Sequence, residues 1–109
     1  MREEWYKDIY YYLTTLIVNR GTLRERRALK RRCLRFCIKE ETLLRIDIDG
    51  LKVCVRVKDI RKILKQYHNE VFGGYFGRDI TVAKIRRIFF WPTLYKDTVK
   101  YVKTCDECQ

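Results

Sequence analysis

The spacing of apolar positions divides the chain into helical, extended and again helical stretches. From Glu3 to Asn19, Trp5, Ile9, Leu13 and Leu16 recur at helical spacing with Tyr10, Tyr11 and Tyr12 among them, and Asn19-Arg20-Gly21 reads as a stop. Thr22 followed by Glu25 forms a capping box, predicting a second helix from Leu23 to Cys33. At Leu34 the pattern turns extended, with strands expected over Leu34–Ile38, Leu43–Ile48 and Leu51–Val57. Asp49-Gly50 is a two-residue hairpin signal, because both residues tolerate positive φ. Val53, Val55 and Val57 alternate with Lys52, Cys54 and Arg56, which predicts one apolar sheet face. Helical spacing returns with Val57, Ile60, Ile63, Leu64 and Tyr67, ending at His68. Gly73-Gly74 and Gly77 mark a loop, and Asp79 is a candidate cap. Ile80, Ala83 and Ile88, with Val82, Ile85 and Phe89, predict a helix apolar on more than one side. Pro92 can open a last helix on which Leu94, Thr98, Tyr101 and Cys105 share a face.

Composition narrows what such a chain can do. A length of 109 residues, 47% of them hydrophobic, suits one compact domain or two small units. The formal net charge of +11 creates a field that attracts polyanions, nucleic acid first, with an acidic protein surface or an anionic membrane as the alternatives. No run reaches the ~20 apolar residues of a membrane span, and Met1-Arg2-Glu3-Glu4 lacks the apolar core of a signal peptide. Five cysteines without a disulfide spacing point to a reducing compartment, the nucleus or the cytosol. Cys33, Cys37 and Cys54 read as small core or half-buried residues. The second helix carries Arg24, Arg26, Arg27, Lys30, Arg31 and Arg32, whose mutual repulsion suggests a phosphate-facing surface; a nuclear-import signal or plain solubility are the other readings.

His68, the single histidine, and Cys105-x-x-Cys108 are the residues with candidate metal chemistry. A Cys-x-x-Cys turn can give two thiolates to one Zn²⁺, and a remote histidine can add a third bond. Around them stand His68-Asn69-Glu70, Gly73-Gly74-Tyr75-Phe76-Gly77, Ile85-Arg86-Arg87-Ile88-Phe89-Phe90-Trp91-Pro92, Asp97, Tyr101-Val102 and Cys105-x-x-Cys108-Gln109. This stretch resembles the zinc-binding domain of retroviral and Gypsy-like retrotransposon integrases, whose ligands are two histidines and two cysteines. Residues Tyr6 to Val57 look like the N-terminal extension that precedes the finger in Gypsy-like, gammaretroviral and foamy integrases. The resemblance implies that His68, Cys105 and Cys108 are zinc ligands. Tyr75 occupies the position of the second family histidine. A phenol must lose a proton of unperturbed pKa about 10 to bind metal. Ligation by Tyr75, a three-ligand site completed by water or by Asp79 or Cys54, and a metal-free fold all remain open at this point.

The expected fold class is α+β: N-terminal helices and a small antiparallel sheet over residues 1–57, then a three-helix zinc-finger bundle over residues 58–109. Integrase chemistry needs a catalytic core that would begin where this sequence stops, and Asp47, Asp49, Asp59 and Asp79 show no catalytic spacing. The expected role is a non-catalytic DNA-binding and multimerisation module. Phosphate contacts are expected from Arg24, Arg26, Arg27, Lys30, Arg31 and Arg32 and from Arg78, Lys84, Arg86 and Arg87. The alternative is a domesticated interaction or oligomerisation module, docking through Trp5, Tyr10, Tyr11 and Tyr12.

Overall fold

The computed structural model describes residues 4–18, 21–68 and 78–104. It is α+β, and it divides into two compact units, one ending at Cys54 and the other beginning at Val55. The first unit holds α1 (Glu4–Thr15), α2 (Leu23–Cys33), β1 (Phe36–Lys39), β2 (Thr42–Asp47) and β3 (Gly50–Cys54). The second holds α3 (Val57–His68), α4 (Arg78–Arg86), β4 (Phe89–Phe90) and α5 (Leu94–Thr104).

Helix α1 stops at Thr15, earlier than the expected Asn19-Arg20-Gly21. The Thr14 hydroxyl back-bonds to the Tyr10 and Tyr11 carbonyls and the Thr15 hydroxyl to Tyr11, and Leu16 turns to φ 60°. Leu16 is therefore exposed instead of completing the apolar stripe, while Ile9 is buried and the Trp5 ring tilts against Phe36 at 6.3 Å. Helix α2 starts as its capping box dictates. The Glu25 N–H donates to Thr22 Oγ1 at 3.1 Å, and the Thr22 N–H donates back to Glu25 Oε1. Gly21, at φ 79°, leads in, and a Cβ there would meet the same Glu25 carboxylate at 3.0 Å.

Strands β1, β2 and β3 form an antiparallel meander in chain order. Phe36 pairs with Arg45 and Arg45 with Lys52; Cys37 pairs with Leu44 and Leu44 with Val53. One hairpin turn differs from the sequence reading, and the other carries no turn signal in the sequence. Asp47 pairs with Gly50, so Ile48-Asp49 are the central residues and Gly50, at φ 130°, opens β3. Lys39 pairs with Thr42, which leaves Glu40 and Glu41 as a two-residue loop at φ 50° and 64°. Positive φ at both central positions matches the strand twist, but it costs about 1–2 kcal/mol per residue that has a Cβ. Replacing Glu40-Glu41 with Asn-Gly is therefore expected to stabilise the chain by about 1 kcal/mol and to raise Tm by roughly 4–8 °C. A fall in the thermal midpoint would refute this turn geometry.

The expected apolar face of Val53, Val55 and Val57 needs correction. β3 ends at Cys54, Val57 starts α3, and within the strand Lys52 and Cys54 point inward while Leu51 and Val53 are exposed. The inner face, Phe36, Leu43 and Cys54, has room for the aliphatic stem of Lys52. The Lys52 ammonium reaches Asp49 Oδ2 at 2.8 Å at the sheet's end, and that hydrogen bond holds the Asp49 carboxyl below its ordinary range. Arg45 beside it is paired with Asp47 at 3.3 Å and lies over the Phe36 ring.

In the second unit α3, α4 and α5 pack against one another. Ile60, Leu64 and His68, at i, i+4 and i+8, are the buried stripe of α3. Thr81, Val82 and Ile85 are buried on α4, whereas Ile80 and Ile88 are exposed, so this helix packs on one side and not all round. Asp79 lies in the first turn of α4 and not at its cap, since the helix already begins at Arg78. The Val55 N–H donates to the Phe90 carbonyl at 2.9 Å, tying β4 to the start of the unit. Trp91 is 1% exposed, and its indole Nε1 donates to Asp97 Oδ2 at 2.8 Å. The same carboxylate oxygen accepts from the Thr93 hydroxyl at 2.8 Å, one residue before α5 begins.

Candidate metal centre and nucleic-acid interface

His68 is the last residue of α3 and is fully buried, because it continues the Ile60–Leu64 stripe into the core. The Tyr101 ring of α5 meets the imidazole edge-on, with centroids 5.8 Å apart and planes at 89°. The ends of α3 and α5 therefore lie side by side, and α5 ends at Thr104, one residue before Cys105. A buried nitrogen donor at the end of one helix, with two thiols next in sequence after its neighbour, fits a zinc that ties the helix ends together. Tyr75, Cys105 and Cys108 lie outside the described residues. Among those described, no group of three or more His, Cys, Asp or Glu side chains is arranged to hold a metal.

The two substitute ligands fare differently. Asp79 is exposed in the first turn of α4. Cys54 belongs to the first unit, and burial pushes its thiol up to about 12 despite the nearby Arg45 guanidinium. Cys33 is likewise buried and raised, and both fit the core role expected of them.

The basic residues of α2 do not all face one way. Arg26 is half-buried on the side of Leu29 and Cys33, which follow at i+3 and i+7. Arg24, Arg27 and Arg31 form an exposed stripe with Lys30 at its flank, and Arg32 is exposed on another side. Glu25, the one acid of the helix, is engaged in the capping box, so its carboxylate is held at the helix start. The stripe covers about 10 Å along the axis, enough for successive phosphates of one strand.

In the second unit Arg86 and Arg87 are exposed and Lys84 is half-buried, while the Arg78 side chain lies outside the described set. A further basic face was not foreseen. Lys58, Arg61, Lys62 and Lys65 are all exposed on α3, beside the stripe that buries His68. Their i, i+3, i+4, i+7 spacing is legible in the sequence once the buried stripe is known. Arg61 and Lys100 also face each other across a groove of about 290 Å³ between α3 and α5, floored by Ile60 and Leu64. No described helix is long and apolar enough to cross a membrane.

The family model of the integrase zinc binding domain matches residues 55–109, which is the second unit. Gypsy retrotransposon integrase-like protein 1 of Pongo abelii is 28% identical over 107 residues, covering 94% of this chain and 20% of that protein. The Homo sapiens protein of the same name is 27% identical over the same span. The Pro-Pol polyprotein of Simian foamy virus type 3 (strain LK3) is 33% identical over 60 residues, covering 55% of this chain and 5% of the polyprotein. The chain thus spans about a fifth of the length of the Gypsy integrase-like relatives.

Proposed function

Because the chain belongs to the integrase zinc-binding domain family, we propose that it is a non-catalytic, integrase-derived module that binds DNA through its phosphates and carries one structural zinc. The observation that carries the DNA reading is the exposed Arg24–Arg27–Arg31 stripe of α2. The basic faces of α3 and α4 supply further cations in the second unit. Such contacts position a duplex without reading bases. His68, Cys105 and Cys108 hold the zinc, with Tyr75 or a water at the fourth position. The metal supplies a cross-link between helix ends, and it takes no part in bond cleavage. The His68 ring is held beside Tyr101 of α5, the helix that leads toward Cys105 in sequence. Asp47 and Asp49 pair with Arg45 and Lys52, consistent with structural and not catalytic carboxylates. The nucleus is the compartment this reading implies, and multimer formation belongs to it as well.

The test is DNA affinity measured across a salt series. Wild-type affinity is expected to fall steeply with salt, and Arg24→Ala/Arg27→Ala/Arg31→Ala should reduce the log–log slope by about 2–3. An unchanged slope in the triple variant would remove α2 from the interface.

The second reading is a protein-interaction module docking through the aromatic residues of α1. Trp5, Tyr6, Tyr10 and Tyr12 are half-buried, and Tyr6 and Tyr10 stack on each other at 6.1 Å; of this cluster Tyr11 is exposed. What favours that reading lies on the sheet.

A further inference from the structure

The outward face of the first unit's sheet carries Cys37, Leu44 and Val53 in one cross-strand row and Ile46 and Leu51 in the next. Ile46, Leu51 and Val53 are 46%, 44% and 37% exposed, while their sequence neighbours Arg45 and Lys52 turn inward with Phe36. This inverts the usual arrangement of an antiparallel sheet, in which the solvated face is the polar one. Basic residues edge the patch: the Arg35 carbonyl accepts the Ile46 N–H at 2.7 Å, which sets Arg35 beside the second row, and Lys39 follows Cys37 on the same face of β1. No carboxylate stands on this face of the three strands. Asp47 faces inward, Asp49 is bonded to Lys52, and Glu40 and Glu41 lie in the turn beyond.

We propose that this sheet face is a docking site for an acidic-flanked apolar segment of a partner protein. Charge selects the occupant. A second copy would set Arg35 and Lys39 against themselves, between bodies that each carry +11. Acidic flanks on an apolar segment lying along the two rows would meet Arg35 and Lys39. The site is independent of zinc and of the α2 stripe, so it stands or falls separately from the DNA reading.

Cys37 reports on occupancy, because it sits in the central row and is partly accessible, whereas Cys33 and Cys54 are buried. The full chain is alkylated with N-ethylmaleimide, with the adduct at Cys37 located by mass spectrometry, in the presence of two synthetic peptides of identical apolar pattern. One is flanked by glutamates and the other by lysines. The glutamate peptide is expected to slow Cys37 alkylation by about tenfold at saturation and the lysine peptide to leave it unchanged. Ile46→Glu with Val53→Glu should abolish the protection. Arg35→Glu with Lys39→Glu, which leaves the apolar rows intact, should transfer it to the lysine peptide. The proposal is overturned if the glutamate peptide gives no protection, if both peptides protect equally, or if the rim reversal leaves the preference unchanged. Protection that appears with rising protein concentration alone would assign the face to a second copy. Protection by phosphatidylserine vesicles without peptide would assign it to a membrane. Either result also overturns the proposal.

Discussion

Trp91→Ala is expected to unfold the second unit at temperatures where the wild-type chain is folded. The indole is almost wholly enclosed, so its removal forfeits burial and leaves a cavity, a loss of about 3–5 kcal/mol. Small domains hold only about 5–15 kcal/mol in total. Asp97 also loses its indole partner and keeps the Thr93 hydroxyl. Asp97→Asn should be milder, about 1–2 kcal/mol, since an amide oxygen in the same place can accept from both donors and only the charge assistance is lost. Circular dichroism melting checks both variants, and the remaining Trp5 reports on the first unit by fluorescence. A Trp91→Ala midpoint within about 2 °C of wild type would contradict the packing described.

Zinc removal is expected to have an effect of comparable size or larger. Apparent zinc contributions to small finger folds are about 10–16 kcal/mol near neutral pH, so chelation should lower the melting midpoint steeply and release one zinc per chain. His68→Ala should abolish retention of the metal. Because that variant also leaves a cavity, Cys108→Ser provides a second test outside the described core. Tyr75→His is the informative gain: it should raise zinc affinity and restore stability at chelator concentrations that unfold the wild type. Tyr75→Phe separates a ligating phenolate from a packing ring, since only the former loses metal on the change. A chain that purifies without zinc and melts identically with and without chelator would eliminate the metal centre.

How much of this was legible depended on how local the deciding interaction is. The bounds of α2 follow from Thr22 and Glu25, three residues apart, and the helix runs over the expected span. The stop of α1 was not legible, because Thr14 and Thr15 read as ordinary helix residues until their hydroxyls are seen on the Tyr10 and Tyr11 carbonyls. The Glu40-Glu41 turn carries no glycine or asparagine to announce it; pairing of Lys39 with Thr42 imposes it from outside. The two faces of β3 were assigned by hydrophobicity, with valines chosen as the buried set. Within β3 the Lys52 and Cys54 side is the buried one and Val53 is open, while Val55 is buried just beyond the strand. At the site, the pattern picked out His68 as a candidate but could not distinguish a ligand from a core residue, since both occupy an apolar stripe. Arg26 shows the same limit among the basic residues, because its inward turn depends on the phase of α2 set by Cys33.

The Asp97 carboxylate has a consequence at a distance. By holding the Trp91 indole and the Thr93 hydroxyl together, it sets the rotational phase of α5 before the helix has completed a turn. An 11-residue helix transmits that phase over about 16 Å. Leu94 and Thr98 then face the core, Tyr101 faces His68, and the chain reaches Thr104 on a heading chosen at the opposite end. Aim at the far end of α5 is thus governed from the Trp-Pro element, much as the bedding of a mast decides where its tip stands. A substitution at Asp97 is therefore expected to turn the Thr104 end of the helix and, with it, to move the Tyr101 ring from its place against His68.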